Sequence, residues 1–291
     1  MKILETLLDG LSSGSTYAMI ALGYTMVYGI AKMLNFAHGD VIMVGGYTLY
    51  VTVVLAGMNP VIALLMAVIC CAVLGLSIEK LAYKPLRGAS PLAVLITAIG
   101  MSYLLQSVAQ MIFGSADELF SLFDLGRLSF GEFQVSAYTL VTLGCSVVIM
   151  LVLTLFVKFT RTGRAMIAVS EDKGAAQLMG INVNFIITLT FAIGSALAAF
   201  AGFFMVLKGQ PVNNTMGAMP GIKAFTAAVI GGIGSIPGAM VGGVLLGVVE
   251  SFAQANPAIS PFTIAIEFSV LIIILLVRPS GILGKKRREK V

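Results

Sequence analysis

Long apolar runs separated by short charged or Gly/Pro-containing stretches make up most of the chain. They fall near Leu7–Ile30, Phe36–Ala56, Val61–Ile78, Leu92–Phe113, Ala137–Phe159, Phe185–Val206, Ile222–Val249 and Phe262–Val277. Several approach or exceed the ~20 residues that carry a helix across a bilayer, a length that a buried helix of a water-soluble core does not need. The pattern therefore predicts an all-α fold, a polytopic transmembrane helical bundle of about eight hydrophobic segments forming one membrane domain over residues 1–291. No short-period repeat, low-complexity linker or soluble domain interrupts it.

The polar positions between the runs orient the bundle. Lys80, Lys84 and Arg87 share one short loop, and Lys158, Arg161, Arg164 and Lys173 share another, so both are expected on the cytoplasmic side. Between them, 114–134 carries Asp117, Glu118, Asp124 and Glu132 against Arg127 alone, as an outward loop would. Eight full crossings would leave both termini on one side, whereas the first loops imply an outer N-terminus and the basic tail at 285–291 a cytoplasmic C-terminus. One segment is thus not a simple crossing, and Ile222–Val249 is the candidate. Gly231, Gly232, Gly234, Pro237, Gly238, Gly242 and Gly243 punctuate it, and proline removes a helix hydrogen bond. Two half-helices are expected there, inside the bundle, because lipid cannot satisfy freed backbone groups. The spacings Gly234-xxx-Gly238-xxx-Gly242 and Gly243-xxx-Gly247 suit either close helix packing or a pore lining.

Composition agrees. Hydrophobic residues are 58% of the chain and charged residues 11%, against roughly 25% charged in soluble domains. The net charge of +5 owes much to Lys285, Lys286, Arg287, Arg288 and Lys290, which read as a topology signal rather than a nucleic-acid surface. Cys70, Cys71 and Cys145 lie inside apolar runs and suggest neither a disulfide framework nor a metal site. Residues 1–10 hold one Lys against Glu5 and Asp9 and lead into no cleavage pattern, so they are read as the start of the first membrane segment.

The most informative connector is 159–183, longer and more organised than a simple link. Glu171, Asp172, Ala175, Ala176, Met179 and Gly180 suggest a short helix that starts with acids, exposes small residues and ends at a glycine stop. Such a helix suits docking of a soluble partner. An amphipathic helix on the membrane surface would also accommodate Arg161 and Arg164 beside Met166, Ile167 and Val169.

Four stretches carry a family resemblance. EDKGAAQLMGIN, from Glu171 to Asn182, resembles the coupling loop by which ABC importer permeases engage their ATPases, with Glu171-Asp172 where the commoner pattern has Glu-Ala-Ala. NFAHGD at Asn35–Asp40, the glycine-rich run Pro220–Gly243, and YKPLRGASPL followed by ITAIG, from Tyr83 to Gly100, are similar to the LivH-type permeases of branched-chain amino acid importers. The resemblance spans about Leu7 to Gly284. It implies a complex of this permease, a related second permease, two ATP-binding subunits and an external solute-binding protein, moving leucine, isoleucine and valine; urea- or amide-type solutes are the alternative. The chain lacks a G-x-x-x-x-G-K-[ST] loop, and Gly281–Lys286 has neither its spacing nor its hydroxyl, so ATP hydrolysis is expected from partners and no cofactor is implied.

The remaining polar residues admit two roles. Asn35 is placed to cap the second segment and Asp40 to sit in its first turn, while His38 and Asp40 as a pair would line or gate the inner end of a pathway. Gly234, Ser235, Pro237, Gly238 and Glu250 are the other pathway candidates, and Glu267 is expected at the headgroup level. Lys208 and Lys223 would flank an outward loop with Asn213, Asn214 and Thr215. Two transport rivals compete. Asp40, Glu250 and Glu267 could relay protons in a secondary transporter. Asn256-Pro257-Ala258 and Asn59-Pro60-Val61 look like channel tripeptides but lie at segment edges rather than mid-membrane. An enzyme is disfavoured by a single His and no nucleophile beside a base.

Overall fold

The computed structural model describes residues 2–123, 126–130 and 133–284. The basic tail at 285–291 and Asp124 and Glu132 lie outside the described residues. Helix α1 spans Lys2–Ala31; α2 spans His38–Leu49 and runs on as a π-helical turn through Leu55; α3 spans Pro60–Ile78 and α4 Pro91–Phe113. After a hairpin of β1 (Arg127–Phe130) and β2 (Phe133–Ser136) come α5 (Ala137–Phe159), α6 (Arg161–Glu171), α7 (Lys173–Leu178) and α8 (Val183–Leu207). The chain closes with α9 (Ala218–Gly231), α10 (Ile236–Ala255) and α11 (Thr263–Val277). Among the described residues the β1–β2 hairpin, which belongs to the acidic connector, and an isolated Glu118–Val212 bridge depart from an all-α reading.

Among the described residues, seven helices are long and apolar enough to cross a membrane. Helix α1 falls outside that set on composition, because Ser12, Ser13, Ser15 and Thr16 dilute its apolar face. Its burial explains the dilution: Ala18–Leu22 are fully enclosed, so α1 faces protein on all sides there. Helices α3, α4, α5 and α11 instead turn rows of Leu, Ile and Val outward, as lipid-facing helices do.

The helix starts follow local rules. Asn59, Ser90, Thr160, Asn182 and Ser235 each accept a backbone N–H of the first turn that follows, which satisfies donors a helix start leaves free. Pro60, Pro91 and Pro237 sit within first turns, where no helix hydrogen bond is lost.

The expected break in Ile222–Val249 is present but differently built. The run consists of two antiparallel helices, α9 and α10, joined by Gly232–Ser235, in which Gly232 (φ 105°) and Gly234 (φ 94°) take left-handed conformations suited to glycine. Pro237 therefore opens α10 rather than breaking it. Only α9 is a half-helix, about 21 Å long, whereas the 20 residues of α10 reach about 30 Å. The chain enters α9 by a non-helical stretch that ends in turns along α2: the buried Val212 and Met216 meet Gly46, and Gly217 meets Gly39. This non-helical backbone lies inside the bundle, where protein shields it from lipid.

Two ends of the bundle result. At the basic end the turn after α1, the 79–90 connector, α6, α7 and the α9–α10 turn converge; at the other, Asp9 meets Thr139, Lys208 meets Ser13, and Glu118 pairs with Val212. Counting 209–231 as one pass, α1, α2, α3, α4, α5, α8, α10 and α11 bring the passes among the described residues to nine, an odd number that leaves residue 2 and residue 277 at opposite ends.

Candidate functional site

The basic end carries the first candidate. Helix α6 is amphipathic, burying Gly163, Met166 and Val169 and turning Arg161 and Arg164 outward. Gly163 packs so closely on Phe156 and Val157 of α5 that a β-carbon would collide with their backbone. The chain then breaks at Asp172, whose extended backbone (φ −151°, ψ 113°) separates α6 from α7. One expectation is corrected here: Glu171 ends α6, and Asp172 caps α7 by accepting the Ala175 N–H at 3.0 Å, so the two acids do not share a helix start. Gly180 (φ 80°) ends the unit as read, with the Gly180 and Ile181 N–H groups donating to the Gln177 and Ala176 carbonyls.

Of the two small residues, Ala175 is exposed but Ala176 is buried. What α7 presents is larger and apolar: Leu178 is 90% exposed and Met179 82%. An exposed apolar tip at the end of a capped helix is the kind of surface feature that marks interaction sites. Lys173 reaches from α7 to the last carbonyl of α1, Ala31 O, at 2.8 Å. Burial, and secondarily the Arg87 charge, hold its ammonium below the usual lysine range. Arg87 is no free loop charge either, since it pairs with buried Glu79 and with Asn184. A cleft of about 70 Å³ opens beside α6, lined by Thr25, Gly29, Ile30, Met166, Ser170 and Gly234 among others.

The second candidate lies inside the bundle where α2 begins. Asn35 does not cap α2; Ala37 holds that position, and the Asn35 side-chain oxygen Oδ1 accepts the Tyr83 hydroxyl at 2.9 Å. Asp40 is in the first turn as expected. His38 and Asp40, however, do not form a pair. The His38 ring, 1% exposed, stands edge-on to Tyr24 at 4.7 Å with its Nε2 unpartnered, while Asp40 accepts Gln106 Nε2 of α4 at 2.8 Å. Between them Gly39 touches Gly217 and Gly221.

The third candidate joins α9, α10 and α11. Lys223 Nζ donates to Glu250 Oε1 at 2.6 Å and to Glu267 Oε1 at 3.0 Å, with the Tyr17 ring 5.8 Å away and Gln254 also donating to Glu250. Two expectations fall here: Glu267, 1% exposed, faces no headgroup, and Lys223 is buried rather than in an outward loop. Lys208, by contrast, stays near the surface on Ser13. Gly238 and Gly242 meet α9, and Gly243 and Gly247 meet α1, so these spacings pack helices. Gly234 and Pro237 are exposed and Ser235 partly so at the basic end. Asn59 caps α3 and Asn256 ends α10, so neither tripeptide starts a half-helix in mid-bundle. Among the described residues no group of His, Cys, Asp and Glu could hold a metal ion.

The family described as branched-chain amino acid transport system, permease component, matches residues 6–277. The chain belongs to that family. The permease BraD of the high-affinity branched-chain amino acid transport system of Pseudomonas aeruginosa is 44% identical, over 99% of this chain and 98% of its own length. LivH of Escherichia coli K12 is 43% identical over 100% of this chain and 98% of its own. A probable LivH from Methanocaldococcus jannaschii is 29% identical over 91% and 88%. The solved PsaBC complex of Streptococcus pneumoniae with Fab aligns with 96% of this chain and 91% of its own at 18% identity and a TM-score of 0.43, too loose a likeness to transfer any feature.

In this permease, then, the structure gathers Arg161, Arg164, Asp172, Ala175 and Met179 on one protruding unit and scatters the interior candidates among three settings. Sequence reasoning missed Leu178, Glu79, Gln106 and Tyr24. Leu178 was open to discovery, as an apolar residue just before a glycine stop in a polar connector. The others are defined by partners distant in sequence.

Proposed function

We propose that the chain is the permease subunit of an ATP-driven importer of leucine, isoleucine and valine in a bacterial inner membrane, with its basic end and C-terminus cytoplasmic. A second related permease, two ATP-binding subunits and an external solute-binding protein complete the assembly. The observation that carries this reading is the end-to-end match to BraD and LivH, 43–44% identical over at least 99% of the chain. The apolar tip of α7 at the Lys/Arg-rich end supports it, since that is where ATP-binding partners would sit.

Closure of the ATP-binding subunits would push on α7, and the α6–α7 unit would move as one body against α1 and the α9–α10 turn. Gly234, Ser235 and Pro237, at the mouth of that turn, would border the inner end of the solute path. Asn35, His38, Asp40, Gly238 and Glu250 would hold the bundle that the path runs beside. Leucine-like zwitterions would pass along small and apolar surfaces, with the binding protein supplying most of the selectivity.

The test is uptake into proteoliposomes that hold the co-expressed assembly, with ATP enclosed with its catalytic subunits and binding protein outside. Leucine should accumulate only with ATP, and valine and isoleucine should compete while urea does not. Uptake that follows an imposed proton gradient without ATP would overturn the reading.

A further inference from the structure

Resting on the importer reading above, we propose that Lys173 is a positioning residue that ties α7 to the end of α1, so that motion of the docking unit is transmitted into the bundle core rather than spent on flexing the connector. Helix α7 is short, flanked by the extended residue Asp172 on one side and left-handed Gly180 on the other. Ala176 is the one buried residue of α7, so the helix has little packing of its own through which to transmit a movement. Its neighbour α6 packs on α1 beside the open cleft, where Thr25, Gly29 and Ile30 face Met166 and Ser170. Lys173 adds a direct crossing from α7 itself. It comes from the first position of α7, and its ammonium donates to Ala31 O at 2.8 Å, the carbonyl that ends α1. A helix C-terminus leaves carbonyls free and carries partial negative charge, so an ammonium there is both hydrogen-bonded and electrostatically favoured.

What lies beyond that contact makes it useful. Lys32 takes a left-handed conformation (φ 60°), so α1 stops sharply at Ala31. From there α1 runs the length of the bundle, packed on α10 through a seam of small residues: Gly10 against Val248, Gly14 against Val244, and Ala18 against Gly243. Backbones in such close contact move together. Helix α10 in turn begins at the Gly232–Ser235 turn and carries Glu250, which is tied through Lys223 to α9 and α11. A pull at Ala31 therefore reaches α1, α9, α10 and α11 as one body.

The test compares wild type, Lys173→Met and Lys173→Arg in the reconstituted assembly, measuring leucine taken up per ATP hydrolysed. Lys173→Met should keep its partners and its ATP hydrolysis but lose at least about fivefold in leucine per ATP, the low end of typical coupling effects. Lys173→Arg, which keeps a charged donor of similar reach, should restore most of the ratio. If Lys173→Met does not assemble, Lys173→Gln is read by the same ratio and should show the same loss. A neutral variant that assembles and keeps the wild-type ratio overturns the proposal. So does a loss in which hydrolysis and uptake fall in step, because a merely structural role predicts that. Wild type that takes up no leucine with ATP would instead overturn the importer reading, leaving the two failures distinguishable.

Discussion

At the scale of single residues, the Glu250–Lys223–Glu267 cluster is where the bundle is most exposed to error. The two carboxylates share one ammonium, and Glu250 Oε2 and Glu267 Oε2 have no hydrogen-bond partner. Removing one member of a buried ion group leaves uncompensated charge, which costs more than the group contributes when intact. Lys223→Met should destabilise the permease by about 3–5 kcal/mol, read as a lower thermal unfolding midpoint in detergent. Adding Glu250→Gln and Glu267→Gln to that variant should recover much of the loss. A Lys223→Met protein as stable as wild type would show that the cluster does not hold α9, α10 and α11 together. Gly217 gives a second residue-scale test, because a β-carbon there would fall on the Gly39 carbonyl. Gly217→Ala should cost about 1–3 kcal/mol by overpacking, whereas Gly100→Ala, with open space around it, should be neutral. The cluster was not legible in the sequence, since its partners lie 27 and 44 positions apart and no local pattern announces such a pairing. His38 and Asp40 show the converse: they are near in sequence, but two positions apart on a helix places side chains on different faces, one toward α1 and the other toward α4.

At the scale of elements, α7 carries the functional argument. Its start depends on the Asp172 cap and its stop on Gly180, and both were legible because capping and left-handed glycine are local chemistry. The division of Glu171–Gly180 between two helices was not, because the extended backbone at Asp172 leaves no compositional trace. Leu178 and Met179 are held out at the tip. Met179→Asp should weaken co-purification of the ATP-binding subunits at least tenfold, about 1.4 kcal/mol, while leaving the thermal midpoint unchanged. A Met179→Asp protein that retains its partners fully would remove α7 from the interface. Apart from α10, which was expected as a half-helix within Ile222–Val249, the long membrane helices were readable to within a few residues, for the reason that a bilayer demands long apolar runs. The short, buried α9 and the turns before it were not, because tertiary packing on α2 rather than composition fixes them.

At the scale of the whole molecule, nine passes put the two ends of the described chain on opposite sides. Single cysteines introduced at Asp117 and at Gln177 should label from opposite faces of sealed inverted vesicles, with Gln177 accessible outside such vesicles and Asp117 accessible only after permeabilisation. Labelling of both from one face would show that α5, the one pass between them, does not cross. The sequence had already required an odd count from its charge asymmetry, and the structure supplies it by making α10 a full pass and 209–231 another.

The measurement that bears most directly on the account is the ATPase activity of the assembly, purified with its co-expressed partners in nanodiscs, with and without binding protein and leucine. An ATPase should co-purify, and binding protein with leucine should stimulate hydrolysis. The importer reading is contradicted if no ATPase co-purifies and leucine uptake follows a proton gradient instead.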